Sequence, residues 1–159
     1  MLLDEHILIS LERRHADHIL DGSKCVELRR RPMNVPVGTT VWMYAKLPVA
    51  SIVGRARVSG AHSLAPSTLW RRFAGVSGLT HGEFFSYFDG VSRGFALALE
   101  NAERLPASVS LAALRDVSPG FQPPQFFMRL DGEGALVRAM SVHEVQFEEI
   151  HSGSLTRNN

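Results

Sequence analysis

The segment Gly22-Ser23-Lys24-Cys25-Val26-Glu27-Leu28-Arg29-Arg30-Arg31 constrains this chain most. It couples a helix stop to an alternating strand. Ala16, Ile19 and Leu20 recur at helical spacing over Arg13–Leu20, and Gly22 supplies the left-handed stop. Beyond it, Val26 and Leu28 alternate with Cys25, Glu27 and Arg29. A strand places such residues on opposite faces, so the apolar pair faces a core while Glu27, Arg29 and Arg31 line the other side. A rigid element ending in three arginines suits an anionic ligand, a phosphate backbone first among them. An exposed edge strand blunted by charge accounts for the same residues.

Other elements follow from periodicity. His6–Leu11 is a compact apolar run and reads as a first strand. Pro32–Gly38 is a turn-rich loop. Thr39–Lys46 reads as a strand with Val41, Met43 and Ala45 on one face and Trp42, Tyr44 and Lys46 on the other. In Ser51–Ser59, Ile52, Ala56 and Val58 oppose Val53, Arg55 and Arg57, and Gly54 marks a bulge or tight bend. Pro66–Phe73 and Thr80–Phe88 are predicted helices, the second opened by a Thr80/Glu83 capping box. Its stripe of Phe84, Phe85 and Phe88 reads as core, or as a surface for a partner protein.

Gly94–Asn101 is a cleanly alternating strand, and Ser110 caps a short helix through Arg115. Phe126–Leu130 is a further strand, Gly134–Glu144 leans to helix, and Val145–Ile150 fits a short strand. Short strands with helices gathered in the middle indicate one domain over 1–159. The expected form is a small mixed β-barrel of α+β class with a helical insertion at 66–90.

Charge is polarised along the chain. Residues 1–75 hold 11 Lys/Arg against 6 Asp/Glu, and residues 76–159 hold 6 against 10. A molecule of net charge +1 can thus attract a polyanion to one side. No apolar run approaches the roughly 18 residues that span a bilayer, so no membrane partner is expected. Met1–Glu5 is acidic and lacks the order of a signal peptide. The lone Cys25 cannot form an internal disulfide, which makes a cytoplasmic setting the default.

Catalytic signatures are few. The chain has no Gly-rich phosphate loop and no Gly-x-Ser-x-Gly. His15 and His18 would need a third ligand to hold zinc, so neither a metal nor a cofactor is expected. What remains is a polar set on neighbouring strands: Lys24 and Glu27, then Arg29 and Arg31, then Tyr44 and Lys46, then Arg55 and Arg57. If those strands pair, cations and a ring line one cleft. Tyr44 or Trp42 would stack on a base, or else cover a second small core.

The order Ile9-Ser10-Leu11, Ile19-Leu20-Asp21-Gly22-Ser23-Lys24, Val26-Glu27-Leu28-Arg29-Arg30 resembles the ASCH domain. So does the Pro36-Val37-Gly38 turn leading into Val41-Trp42-Met43-Tyr44-Ala45. The most recognisable stretch is Gly-x-Lys-x-x-Glu-hydrophobic-Arg, here Gly22–Arg29. The resemblance implies a PUA-like barrel whose cleft takes RNA or a modified nucleobase. Small members are amidohydrolases on N4-acetylcytidine, working through a lysine, a threonine and a glutamate. Lys24 matches that lysine, whereas Glu27 stands where the threonine belongs.

Three functions are weighed. The first is RNA binding, with Lys24, Arg29, Arg31, Lys46 and Arg55 on phosphates, Tyr44 stacking, and Glu27 orienting Arg29 or accepting from a base amine. The second is a metal-independent hydrolase on RNA or a nucleoside, with Lys24 as base and Glu27 shuttling protons. The third is an adaptor docking through the helices of 66–88.

Overall fold

The computed structural model describes residues 4–141. Six strands form one mixed sheet: β1 (His6–Leu11), β2 (Val26–Arg29), β3 (Thr40–Ala45), β4 (Ser51–Leu64), β5 (Gly94–Ser110) and β6 (Phe127–Leu130). Their order is β2-β5-β4-β3-β1-β6. β1 and β3 run parallel, and the remaining pairs are antiparallel. The fold is therefore α+β as expected. The expected barrel is not closed by strand pairing: β2 and β6 end the sheet and do not pair with each other among the described residues.

Helix α1 (Arg13–Asp21) ends at Gly22 with φ 88, whose N–H donates to the Ile19 carbonyl. Its apolar side, Ala16 and Ile19, packs on Ile7, Ile9, Val41, Met43 and Leu97 in the main core. Full burial of each of these Ile, Val, Leu and Met side chains contributes about 1.5–3 kcal/mol. The opposite sheet face buries Leu8, Trp42, Tyr44 and Ile52 under α4 (Leu111–Val117) and the helical residues 135–141. The residues 142–144 of the expected last helix and the whole of the expected 145–150 strand lie outside the described residues.

Between β4 and β5 run α2 (Pro66–Phe73), a 3-10 turn and α3 (His81–Tyr87). The capping box at Thr80 and Glu83 is present in both directions. Leu69, Phe84 and Phe88 pack on Val26, Leu28 and Ala96, with Phe85 partly buried beside them. The aromatic stripe is therefore core, and its rings are not the exposed docking surface that the adaptor reading requires.

Two strands run longer than expected. β4 continues to Leu64 and β5 to Ser110. Asn101, where the alternation ends, takes φ 53, so the strand bends there and continues. The register also shifts between Ile52 and Gly54. That bulge corrects the face assignment: Ile52 joins the second core, while Ala56 and Val58 join the first.

Candidate functional site

The start of β2 forms the site's floor. Val26 and Leu28 are held by the α2–α3 layer, which turns Glu27 and Arg29 to the opposite side of the sheet. There they meet a cavity of about 530 Å³. Ser10 and Leu11 reach it from the end of β1, Arg14 and His15 from α1, Lys46 from the turn after β3, and Glu83, Ser86 and Tyr87 from α3.

Lys24 is 3% exposed, and its Nζ donates to the Ser77 carbonyl. Burial pulls its pKa down, opposed by Glu27 and reinforced by Arg14 and Arg29. Glu27 is 8% exposed. Burial pushes its carboxyl pKa up, against the pull of Arg29 and Lys24. Its Oε1 lies 3.3 Å from Arg29 Nε, while Oε2 has no hydrogen-bond partner.

Arg29 has its outer nitrogens committed to the backbone. Nη1 donates to the Phe126 carbonyl at 2.8 Å and Nη2 to the Ser10 carbonyl at 3.4 Å. His15 is half-buried with an unpartnered Nδ1. Burial and the neighbouring Lys24 bring its pKa down to about 4, so the ring is neutral near pH 7. Across the mouth, Arg14 Nη2 donates to Glu83 Oε2 at 2.7 Å and joins α1 to α3. Tyr87 donates its hydroxyl to the Leu28 carbonyl at 3.1 Å.

Of the residues singled out from sequence, Lys24, Glu27, Arg29 and Lys46 converge on this cavity. Arg31, Tyr44, Arg55 and Arg57 do not line it. Tyr44 is 4% exposed and packs in the second core with Trp42, which leaves its ring covered rather than open to a base. Arg55 pairs with Glu103, lies over the Trp42 ring and lines a separate recess with Arg57 and Asn101. Arg31 is exposed, with its guanidinium 4.5 Å from the centre of the Phe126 ring.

Arg14 and Tyr87 carry no site signal in the sequence, where His15 figures only as half of a possible zinc pair and Glu83 only as a capping-box residue. They reach the site from helices that meet only in three dimensions. The one local signal is that His15 directly precedes the buried Ala16 of α1.

No family model matches the chain. A curated relative from Zymomonas mobilis subsp. mobilis is named an ASCH domain-containing ribonuclease. It is 31% identical over 118 residues, spanning 74% of this chain and 79% of the relative. The chain belongs to the ASCH domain family.

The solved structures agree with that membership. The crystal structure of ASCH from Zymomonas mobilis superposes on this ASCH domain with TM-score 0.81 and 28% identity. The match covers 86% of this chain and 94% of that one. Human THYN1 protein, in complex with 5-methylcytosine containing DNA, matches at TM-score 0.50 and 11% identity over 89% of this chain and 98% of its own, a likeness of fold alone. No helix among the described residues is long and apolar enough to cross a membrane.

Proposed function

We propose that this ASCH domain binds single-stranded RNA in the Lys24–Glu27 cavity, with its curled sheet serving as a PUA-like platform. The carrying observation is the convergence of Lys24, Glu27, Arg29 and Lys46 on one open cavity. Exposed Lys46 and the rim residue Arg14 are suited to phosphates. Arg29 is a wall of the cavity rather than a free clamp, because backbone carbonyls take its outer nitrogens. Titrating short RNAs against salt tests the reading. Affinity should fall log-linearly with salt, by about 0.7 in slope for each phosphate neutralised. Affinity that does not respond to salt would overturn it.

A second reading, RNA cleavage without a metal, is favoured by the relative named a ribonuclease and by the lowered proton affinity of Lys24. In its neutral form Lys24 takes the proton of a ribose 2′-hydroxyl. The 2′-oxygen then attacks the adjacent phosphorus, and the bond to the 5′-oxygen breaks. That oxygen leaves with a proton from solvent. The products are a 2′,3′-cyclic phosphate and a 5′-hydroxyl end. Their appearance in EDTA with the wild-type protein, and their absence with Lys24→Met, is the expected result.

A further inference from the structure

The chain carries 17 Lys and Arg residues, and only two of them, Lys24 and Lys46, are lysines. Both line the cavity at β2. The distinction is chemical. A guanidinium keeps its proton at any physiological pH, whereas an amine can lose it and offer a lone pair. The side-chain amines of this protein are thus gathered at one cavity, and the other Lys/Arg cations are all guanidiniums.

The two amines sit in different settings. Lys46 is exposed on the turn after β3. Lys24 is buried, and its stem packs so closely on residues 77–79 that a Cβ on Gly78 would lie 3.2 Å from its Cδ. The Ser77 carbonyl accepts one N–H from its Nζ. Glu27, also buried, lines the same cavity with its Oε2 unpartnered. Burial works against charge on both, lowering the proton affinity of the amine and raising that of the carboxyl. A neutral amine beside a carboxylic acid is the pairing that condensation with a carbonyl needs, a nucleophile and a proton donor.

We propose that Lys24 forms an imine with the open-chain aldehyde of a phosphorylated sugar, with Glu27 as the proton donor. The neutral Nζ adds to the carbonyl carbon. The carbonyl oxygen takes the Glu27 proton, and Nζ returns one of its own to the carboxylate. Glu27 then protonates the carbinolamine hydroxyl, which leaves as water while the nitrogen lone pair completes the C=N bond. The product is a protonated imine beside the Glu27 carboxylate. Arg14 and Lys46 supply cations for the phosphate, in a cavity of about 530 Å³. Such an aldehyde occurs free, and within a nucleic-acid strand wherever a base has been lost. Imine formation goes beyond RNA binding and does not depend on it.

The test incubates the wild-type protein with sodium cyanoborohydride, which reduces an imine to a stable secondary amine. One arm adds glyceraldehyde 3-phosphate, and the other a single-stranded oligonucleotide carrying one abasic deoxyribose. Intact mass and peptide mapping locate the adduct. An adduct on Lys24, formed in preference to the exposed Lys46, is the expected result, and the arm that gives it names the source of the aldehyde. Absence of an adduct in both arms, or labelling of Lys46 and other amines ahead of Lys24, overturns the proposal. Glyceraldehyde without its phosphate should label Lys24 more slowly; equal rates overturn the assignment of a phosphorylated substrate.

Lys24→Arg keeps the charge and removes the nucleophile, so it should lose the adduct. If that variant does not fold, the position of the label on wild type still decides. A protein that traps the aldehyde at Lys24 yet binds no RNA at low salt would keep this inference and lose the RNA reading. One that binds RNA and traps nothing would do the reverse.

Discussion

Arg29 donates from Nη1 to the carbonyl of Phe126 at 2.8 Å, joining the first strand of the sheet order to the residue just before the last. β2 and β6 have no ladder between them, so this side chain spans the gap with help from its bond to Ser10 on β1. The same guanidinium lies beside the buried Glu27. One residue thus ties β2 to the start of β6 and sets the electrostatics of the cavity beside it.

Removing Arg29 should therefore cost more than a surface arginine would. Arg29→Ala leaves Glu27 buried without its pair and frees two carbonyls. Breaking a buried pair by one partner costs about 3–5 kcal/mol. Arg29→Lys should recover only part of that loss, since one ammonium cannot reproduce the forked contacts. Urea midpoints of the two variants check this, and an Arg29→Ala midpoint equal to wild type would show that the bridge carries no stability.

Gly54 predicts a second cost. A Cβ there would come within 2.7 Å of the Glu103 backbone oxygen on β5 and would also strike the Leu20 side chain of α1. Backbone does not yield as a flexible side chain does. Gly54→Ala should destabilise the fold by about 1–3 kcal/mol. Gly75, whose Cβ would meet nothing within 4 Å, is the control, and Gly75→Ala should leave the midpoint near wild type.

His15 predicts a pH dependence. Its folded pKa of about 4 lies below the ordinary 6.5. Its contribution is complete above pH 6.5 and is lost as pH falls toward 4, because only the unfolded chain takes up the proton readily. Glu27 works in the opposite sense: its raised pKa gives a contribution complete below the ordinary 4.5 and lost as pH rises. The difference between wild type and His15→Gln isolates the histidine. Wild type should lose stability more steeply than the variant between pH 6.5 and 4, and parallel pH profiles would show that the ring is not held neutral.

These tests fall on features of unequal legibility. The helix stop at Gly22, the strand at Val26–Arg29 and the capping box at Thr80 were readable because each is fixed by neighbours in sequence. The faces of β3 were equally readable, since strict alternation put Trp42 and Tyr44 together. That neither face opens to solvent was not readable, because burial of Tyr44 depends on α4 and on residues 135–141, distant in the chain. The split of Ile52 from Ala56 turned on one bulge, and a single shift reverses every side chain beyond it. Arginines count alike in composition. The fold alone separates Arg29, held by carbonyls, from Arg55, placed across the sheet beside Glu103.

Lys46 offers the cleanest functional test among the converging cations. It is exposed on the turn after β3 and lines the cavity, so its loss should not disturb packing. Its head is free to follow a phosphate without a desolvation cost. Lys46→Ala should weaken RNA binding by a similar factor for every base sequence and lower the salt slope by about 0.7, the loss of one neutralised phosphate. Urea midpoints should match wild type, because surface substitutions away from buried networks usually shift stability by about 0.5 kcal/mol or less. Filter binding of two oligomers of equal length and different sequence, each across a salt series, measures both quantities. A loss confined to one sequence would place Lys46 on a base, and an unchanged slope would remove it from the path of the RNA.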